Sequence, residues 1–138
     1  MKVYIASSFS LKETVQRVAQ DLKSMGFEIT YEWWYKNYKD LDMPDDEWYA
    51  NPVIKIISKV MFEAIDDADL FLLVFPLSVP MRMKGADVEF GYAYAKGKPC
   101  YSVGVPMCSA MYQPLIKLNS LIELQEEFHK LIKNGVEE

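Results

Sequence analysis

The 138-residue sequence predicts an α/β fold: an open parallel sheet of about five strands with helices on both faces. Three features carry that expectation. Short apolar runs alternate with longer stretches of helical period, the pattern of βα units. The run Asp69-Leu70-Phe71-Leu72-Leu73-Val74-Phe75 is apolar after its first residue, as in a central strand covered on both faces. Cap and turn residues such as Gly26, Gly97 and Pro99 stop the helical stretches where short connections need them. Together these give a Rossmann/flavodoxin-like arrangement in one domain, residues 1–138, a length within the common range for a single domain.

Taken in order, Val3-Tyr4-Ile5-Ala6 is a first buried strand. Ser10-Leu11-Lys12-Glu13 is a capping-box sequence, opening a helix with Val15, Val18, Ala19 and Leu22 on one face. Gly26 ends that helix at the C′ position, and residues 27–31 form a second strand. Residues 32–50 are irregular, acidic and aromatic, with Trp33, Trp34, Tyr35, Tyr38, Trp48 and Tyr49. A loop this long in a compact domain is more often functional than idle. Asn51 and Pro52 are the N-cap and N1 residues of a second helix. Its apolar face holds Val53, Ile56, Ile57, Val60, Met61, Ala64 and Ile65. The central strand follows at 69–75, and Gly85 precedes a third helix over roughly 86–96. Cys100–Val103 is a fourth strand, 115–118 a short fifth, and Ser120-Leu121-Ile122-Glu123 a second capping box opening the last helix.

Composition bounds the function. Half of the residues, 51%, are hydrophobic, enough for a core without metal or disulfide staples. A net charge of −5 argues against a surface that tracks a nucleic-acid polymer. Cys100 and Cys108 form no CxxC, and Cys100 reads as a buried free thiol in a reducing compartment. The first residues are too short and strand-like a run for a signal peptide, and no apolar run approaches a membrane span. The expectation is a cytoplasmic protein with no membrane partner.

In open parallel sheets ligands bind beyond the carboxyl ends of the strands. Three segments meet that condition: Ser7-Ser8-Phe9, residues 76–84 and residues 104–111. Glu89 is expected in the first turn of the helix after Gly85, where the dipole favours an ionised carboxylate by roughly 0.3–1 kcal/mol. Such an anion suits a nucleophile or a general base. Gly91, at a cost of about 1 kcal/mol against alanine, suggests close approach of a backbone or ligand. The plainer alternative is that Glu89 decorates a helix start and Gly91 eases packing on the sheet. His129 is the single histidine and is read as a solvated residue of the last helix. Ser-His-Asp and Cys-His sites are therefore improbable. Metal-ligand spacings, G-x-G-x-x-G and the P-loop are absent, so no metal and no cofactor are expected. Carboxylate chemistry is the main enzymatic option left.

The string Gly85-Ala86-Asp87-Val88-Glu89-Phe90-Gly91-Tyr92-Ala93-Tyr94-Ala95-Lys96-Gly97-Lys98-Pro99 resembles the signature of the nucleoside 2-deoxyribosyltransferase family, which includes a nucleoside 5′-monophosphate N-glycosidase branch. Lys2-Val3-Tyr4-Ile5-Ala6-Ser7-Ser8-Phe9, Ala68-Asp69, and Tyr112-Gln113-Pro114-Leu115 with the final capping box are similar to other parts of it. The resemblance implies that Glu89 attacks the anomeric carbon and forms a glycosyl-enzyme intermediate, released to water or to an acceptor base, as in a retaining glycosidase. It implies that the Tyr4 hydroxyl holds the nucleophile, where Tyr4 would otherwise be a core aromatic. Ser7, Ser8 and Phe9 would border the sugar and, in the nucleotide branch, cradle a 5′-phosphate; otherwise they form an ordinary turn. Gly85 and Asp87 are further candidate substrate contacts.

The chain departs from the family pattern in two places. Where the family carries a carboxylate on the second helix this chain has Met61, with Glu63 nearby on another face. Six residues before the nucleophile, where a polar contact is usual, stands Met83, flanked by Arg82 and Lys84. That pair meets an anionic substrate or is a solvated surface pair. Asp69, at the amino end of its strand, reads as a structural cap. Trp33, Trp34 or Trp48 would stack on a nucleobase for ~1–3 kcal/mol, or serve as a lid or dimer contact. By the resemblance the chain forms a homodimer or higher homo-oligomer, with Ser109 and Met111 reaching a neighbour's site. The expected activity is N-glycosidic cleavage of a nucleoside or nucleotide, inclined to hydrolysis. A nucleotide-binding sensor on the same scaffold and an NAD glycohydrolase are the alternatives.

Overall fold

The computed structural model describes residues 1–35, 52–107 and 109–134. Five strands are described: β1 (Lys2–Ala6), β2 (Glu28–Ile29), β3 (Leu70–Val74), β4 (Cys100–Val103) and β5 (Ile116–Leu118). Among the described residues they alternate with four α-helices: α1 (Lys12–Ser24), α2 (Pro52–Asp67), α3 (Lys84–Ala95) and α4 (Leu121–Asn134). All pairings are parallel and the order is β2-β1-β3-β4-β5. The expected α/β class is the observed one. In this order the chain runs outward on one side of β1 and then on the other, so the β1 and β3 exits diverge.

The strands divide their side chains between two layers, as alternation requires. Val3, Ile5, Leu70, Leu72, Val74, Tyr101 and Val103 pack with Val15, Val18 and Leu22 of α1 and Leu124, Phe128 and Leu131 of α4. Tyr4, Ala6, Phe71, Leu73 and Phe75 pack on the other face with Ala64 and Ile65 of α2 and Ala86, Phe90 and Ala93 of α3. β3 is buried along its whole length, the arrangement its unbroken apolar run predicts. Each fully buried Leu, Ile or Phe contributes about 1.5–3 kcal/mol relative to exposure.

The helix ends show where local signals hold and where they yield. Gly26 takes φ 103°, and Phe27 N–H donates to Leu22 O while Gly26 N–H donates to Lys23 O, both at 3.0 Å. This is the expected glycine-terminated end of α1. At its start the expected capping box is not formed. Ser8 instead caps a 3₁₀ turn, Phe9–Leu11, which takes up Ser10 and leaves Leu11 as an N-cap without a side-chain bond. The final capping box is half-formed: Ser120 Oγ accepts Glu123 N–H at 3.2 Å, while the Glu123 carboxylate turns to Asn119 N–H at 2.7 Å.

Two element expectations are corrected. β2 is a two-residue edge strand rather than a run over 27–31. The chain then crosses to a turn, Trp33–Tyr35, where the Trp33 indole donates to Ile5 O at 2.7 Å. In α2 only Ala64 and Ile65 of the expected face are buried, Ile57 and Met61 are half-buried, and Ile56 and Val60 are exposed. Among its described side chains, full burial is confined to the last turns of that helix. Tyr38, Trp48, Tyr49, Asn51 and Cys108, and the side chain of Val53, lie outside the described residues. No described helix is long and apolar enough to cross a membrane.

Candidate active site

The exits of β1 and β3 frame the site. Ser7 Oγ donates to Val74 O at 2.7 Å and lies 4.0 Å from Met83 Sδ, stitching one exit to the other. Behind them β4 comes very close to the β3 exit. Gly104 has φ 102°, and a Cβ there would lie 2.8 Å from Pro76 O and nearer still to Phe75 O. The close backbone approach expected at Gly91 is found here instead. Gly91 is exposed, and an added Cβ would meet nothing within 4 Å.

α3 begins at Lys84, before the expected start, so Glu89 falls in its second turn and Asp87 in its first. The benefit of the helix dipole therefore belongs to Asp87. Glu89 is governed by burial, which pushes its pKa from 4.5 up to about 7, while a hydrogen bond from Tyr4 acts in the opposite direction. The Tyr4 hydroxyl donates to Glu89 Oε2. Tyr4 is fully buried on β1, its ring stacked on Phe71 at 5.8 Å and 12°. Burial first, and the Glu89 charge second, raise the Tyr4 pKa, so the phenol stays protonated and serves as a donor. One carboxylate oxygen is held and the other is left for chemistry.

A cavity of about 260 Å³ opens against Glu89. Ser7, Ser8 and Phe9 form one side, and residues 82–86 the other. A second cavity of about 230 Å³ shares Arg82 and is lined by Asp87, Met107, Ser109, Met111 and Tyr112. Between them the two cavities take in Ser7, Ser8, Phe9, Gly85, Asp87, Ser109, Met111 and Glu89. The hydroxyls of Ser7 and Ser8 already have partners: Val74 O for Ser7, Ser10 for Ser8. Arg82 and Lys84 border the Glu89 cavity, so positive charge does stand at the cleft.

Trp33 is not brought to the cleft. It is buried in the layer beneath, with its N–H bonded to Ile5 O and its ring 6.4 Å from Phe9. Met61 packs against the core, and Glu63 is exposed, 3.8 Å from Lys59. Asp69 accepts Lys2 N–H at 2.7 Å at the far end of the sheet, as a cap. Sequence reasoning gave no role to the Tyr112 hydroxyl, which donates to Asp87. The spacing of 25 residues between the partners carries no local signal of the contact.

With that geometry in place, the structure matches two solved enzymes over nearly its full length. One is a 2-deoxyribosyltransferase from the psychrotolerant bacterium Bacillus psychrosaccharolyticus: TM-score 0.68, 18% identity, 91% of this chain and 90% of that one covered. The other is the Clostridium botulinum CMP N-glycosidase: TM-score 0.58, 16% identity, 92% and 97% covered. The fold is that of the deoxyribosyltransferase and the N-glycosidase. At these identities the likeness is one of fold, and it agrees with the family resemblance seen in the sequence around Glu89. No protein-family model matches the chain, and no curated protein matches it by sequence.

Proposed function

We propose that this protein is an enzyme that cleaves the N-glycosidic bond of a nucleoside or nucleoside 5′-monophosphate, with Glu89 as nucleophile and Tyr4 as its positioning donor. The observation that carries the proposal is a half-buried carboxylate held through one oxygen by Tyr4 at the edge of the cleft between the β1 and β3 exits. The free oxygen of Glu89 attacks the anomeric carbon. The carbon–nitrogen bond breaks, and the base leaves with the bonding pair and takes up a proton from solvent, which the incoming water or second base later returns. Water, or a second base, then displaces Glu89 and closes the cycle. Because Glu89 titrates near 7, its nucleophilic form grows as pH rises through neutrality.

Arg82, Lys84 and the free amides that open α3 favour an anionic substrate, which supports a 5′-monophosphate over a bare nucleoside. Met61 leaves the described site without a second-helix carboxylate, which supports hydrolysis or binding alone over base exchange. The exposed Met107 and Met111 beside Ser109 fit a homo-oligomer in which this rim meets a neighbour.

The test is chromatographic detection of base release from a panel of nucleosides, nucleotides and NAD, with and without an acceptor base. Release from a nucleotide that is lost in Glu89→Ala supports the proposal, and the acceptor's effect separates transfer from hydrolysis. Tight nucleotide binding without release would make the protein a sensor. Release from NAD alone would make it an NAD glycohydrolase.

A further inference from the structure

α3 is gripped by two tyrosines, not one. Tyr4 of β1 donates to Glu89, and Tyr112, from the 3₁₀ turn Ala110–Tyr112, donates to Asp87. Residues two apart on a helix point about 200° away from each other, so the two bonds pull on opposite sides of the same turn. The second grip is firmly based. Tyr112 is buried, its ring 5.1 Å from Phe75 at the β3 exit and 6.3 Å from Phe90, the residue after the nucleophile. Its own turn is closed by Tyr112 N–H to Ser109 O and by Leu115 N–H to Tyr112 O, at 3.2 and 3.1 Å.

We propose that Asp87 and Tyr112 are a positioning pair: they fix the rotation of α3 and thereby hold Glu89 in its bond with Tyr4. The inference rests on the reading of Glu89 as nucleophile. Further along, α3 is tied to α2 by Tyr92, whose hydroxyl donates to Asp66. Its first turns are held through side-chain hydrogen bonds by Tyr4 and Tyr112, and with one of these gone that end can roll about the axis. A roll that lengthens the Tyr4–Glu89 bond moves the attacking oxygen, and a displacement of this kind is costly to catalysis. The groups at Glu89 are its partner Tyr4 from β1 and, bordering the cavity, Arg82 ahead of α3 and Lys84 at its first residue. Tyr112 touches Asp87 rather than Glu89, so any influence on Glu89 travels through the helix.

The test is the titration midpoint of the Glu89 carboxyl, followed by carbon NMR, in the full chain and in Tyr112→Phe. That substitution keeps the ring contacts and changes no charge at neutral pH. It is expected to raise the midpoint by roughly half a unit, because the Tyr4 bond that stabilises the anion weakens. It is also expected to lower kcat about tenfold with little change in KM. Asp87→Asn is the second variant. It leaves an acceptor for Tyr112 and removes only a negative charge, so the midpoint holds or falls. A midpoint unmoved in Tyr112→Phe overturns the inference, even where the melting temperature drops, since a plain structural brace predicts that result. A rise in Asp87→Asn as large as in Tyr112→Phe also overturns it. The titration needs no turnover, so an inactive wild type with a shifted midpoint would reject the glycosidase reading while leaving the positioning pair intact.

Discussion

The two ends of the sheet are made from similar residues and do opposite things. At the amino ends, polar groups are matched: Asp69 accepts Lys2 N–H at 2.7 Å, and Lys98 Nζ donates to the carbonyls of Asp66 and Ala68, both at 2.8 Å. At the carboxyl ends, Glu89 is half-buried with one tyrosine for a partner, and two cations border the cavity before it. The carboxylate at the first end stabilises the fold, while the one at the second costs stability whenever it is charged. Such a contrast is how a scaffold divides support from chemistry.

The contrast can be broken from either side. Glu89→Ala is expected to lower base release on the order of 10³-fold or more, since no other carboxylate among the described residues lines its cavity. Tyr4→Phe is expected to lower kcat by about 10- to 100-fold and to shift the rising limb of the pH profile above 7, because the bond that opposes the burial effect is gone. Rates measured from pH 5 to 9 check both variants.

Stability runs the other way. In the unfolded chain Glu89 ionises near 4.5, in the folded one near 7, so folding retains a proton in that window. Stability then falls as pH rises from about 4.5 to 7, and the deficit persists above it. Glu89→Gln is therefore expected to match wild type at pH 4 and to exceed it at pH 8 by up to about 3 kcal/mol, read from urea unfolding. At the opposite end Lys98→Met is expected to cost about 1–2 kcal/mol at any of these pH values and to leave the pH–rate profile in place. If Lys98→Met moved that profile, the two ends would not be independent.

The strands were legible because their signal is local. The buried run of β3 and the bounds of β4 follow from apolar sequence bracketed by turn residues, and Gly26 marks the end of α1 by the left-handed φ it adopts. What was not legible depends on tertiary competition. Ser10 carries a capping-box pattern, yet Ser8 takes the cap because a 3₁₀ turn intervenes. Ile56 and Val60 share the helical stripe of Ala64 and Ile65 but are left exposed. For the site, the resemblance points to Glu89 through the string around it and to Tyr4 through the first strand, and the structure joins the two by a hydrogen bond. The position of α3 reversed the expected cause, with burial replacing the dipole. By residue type Trp33 is a stacking platform, a lid or a dimer contact, whereas its indole N–H has a backbone partner inside. The Asp87–Tyr112 bond joins segments whose proximity only the folded sheet creates.

The most direct test of the account is peptide mass spectrometry on a rapidly quenched reaction with a cleaved nucleotide. The account predicts a sugar mass added to the peptide that carries Glu89, with no adduct and no base release in Glu89→Ala. Base release at the wild-type rate from Glu89→Ala, with no sugar on Glu89 in the wild type, would contradict it.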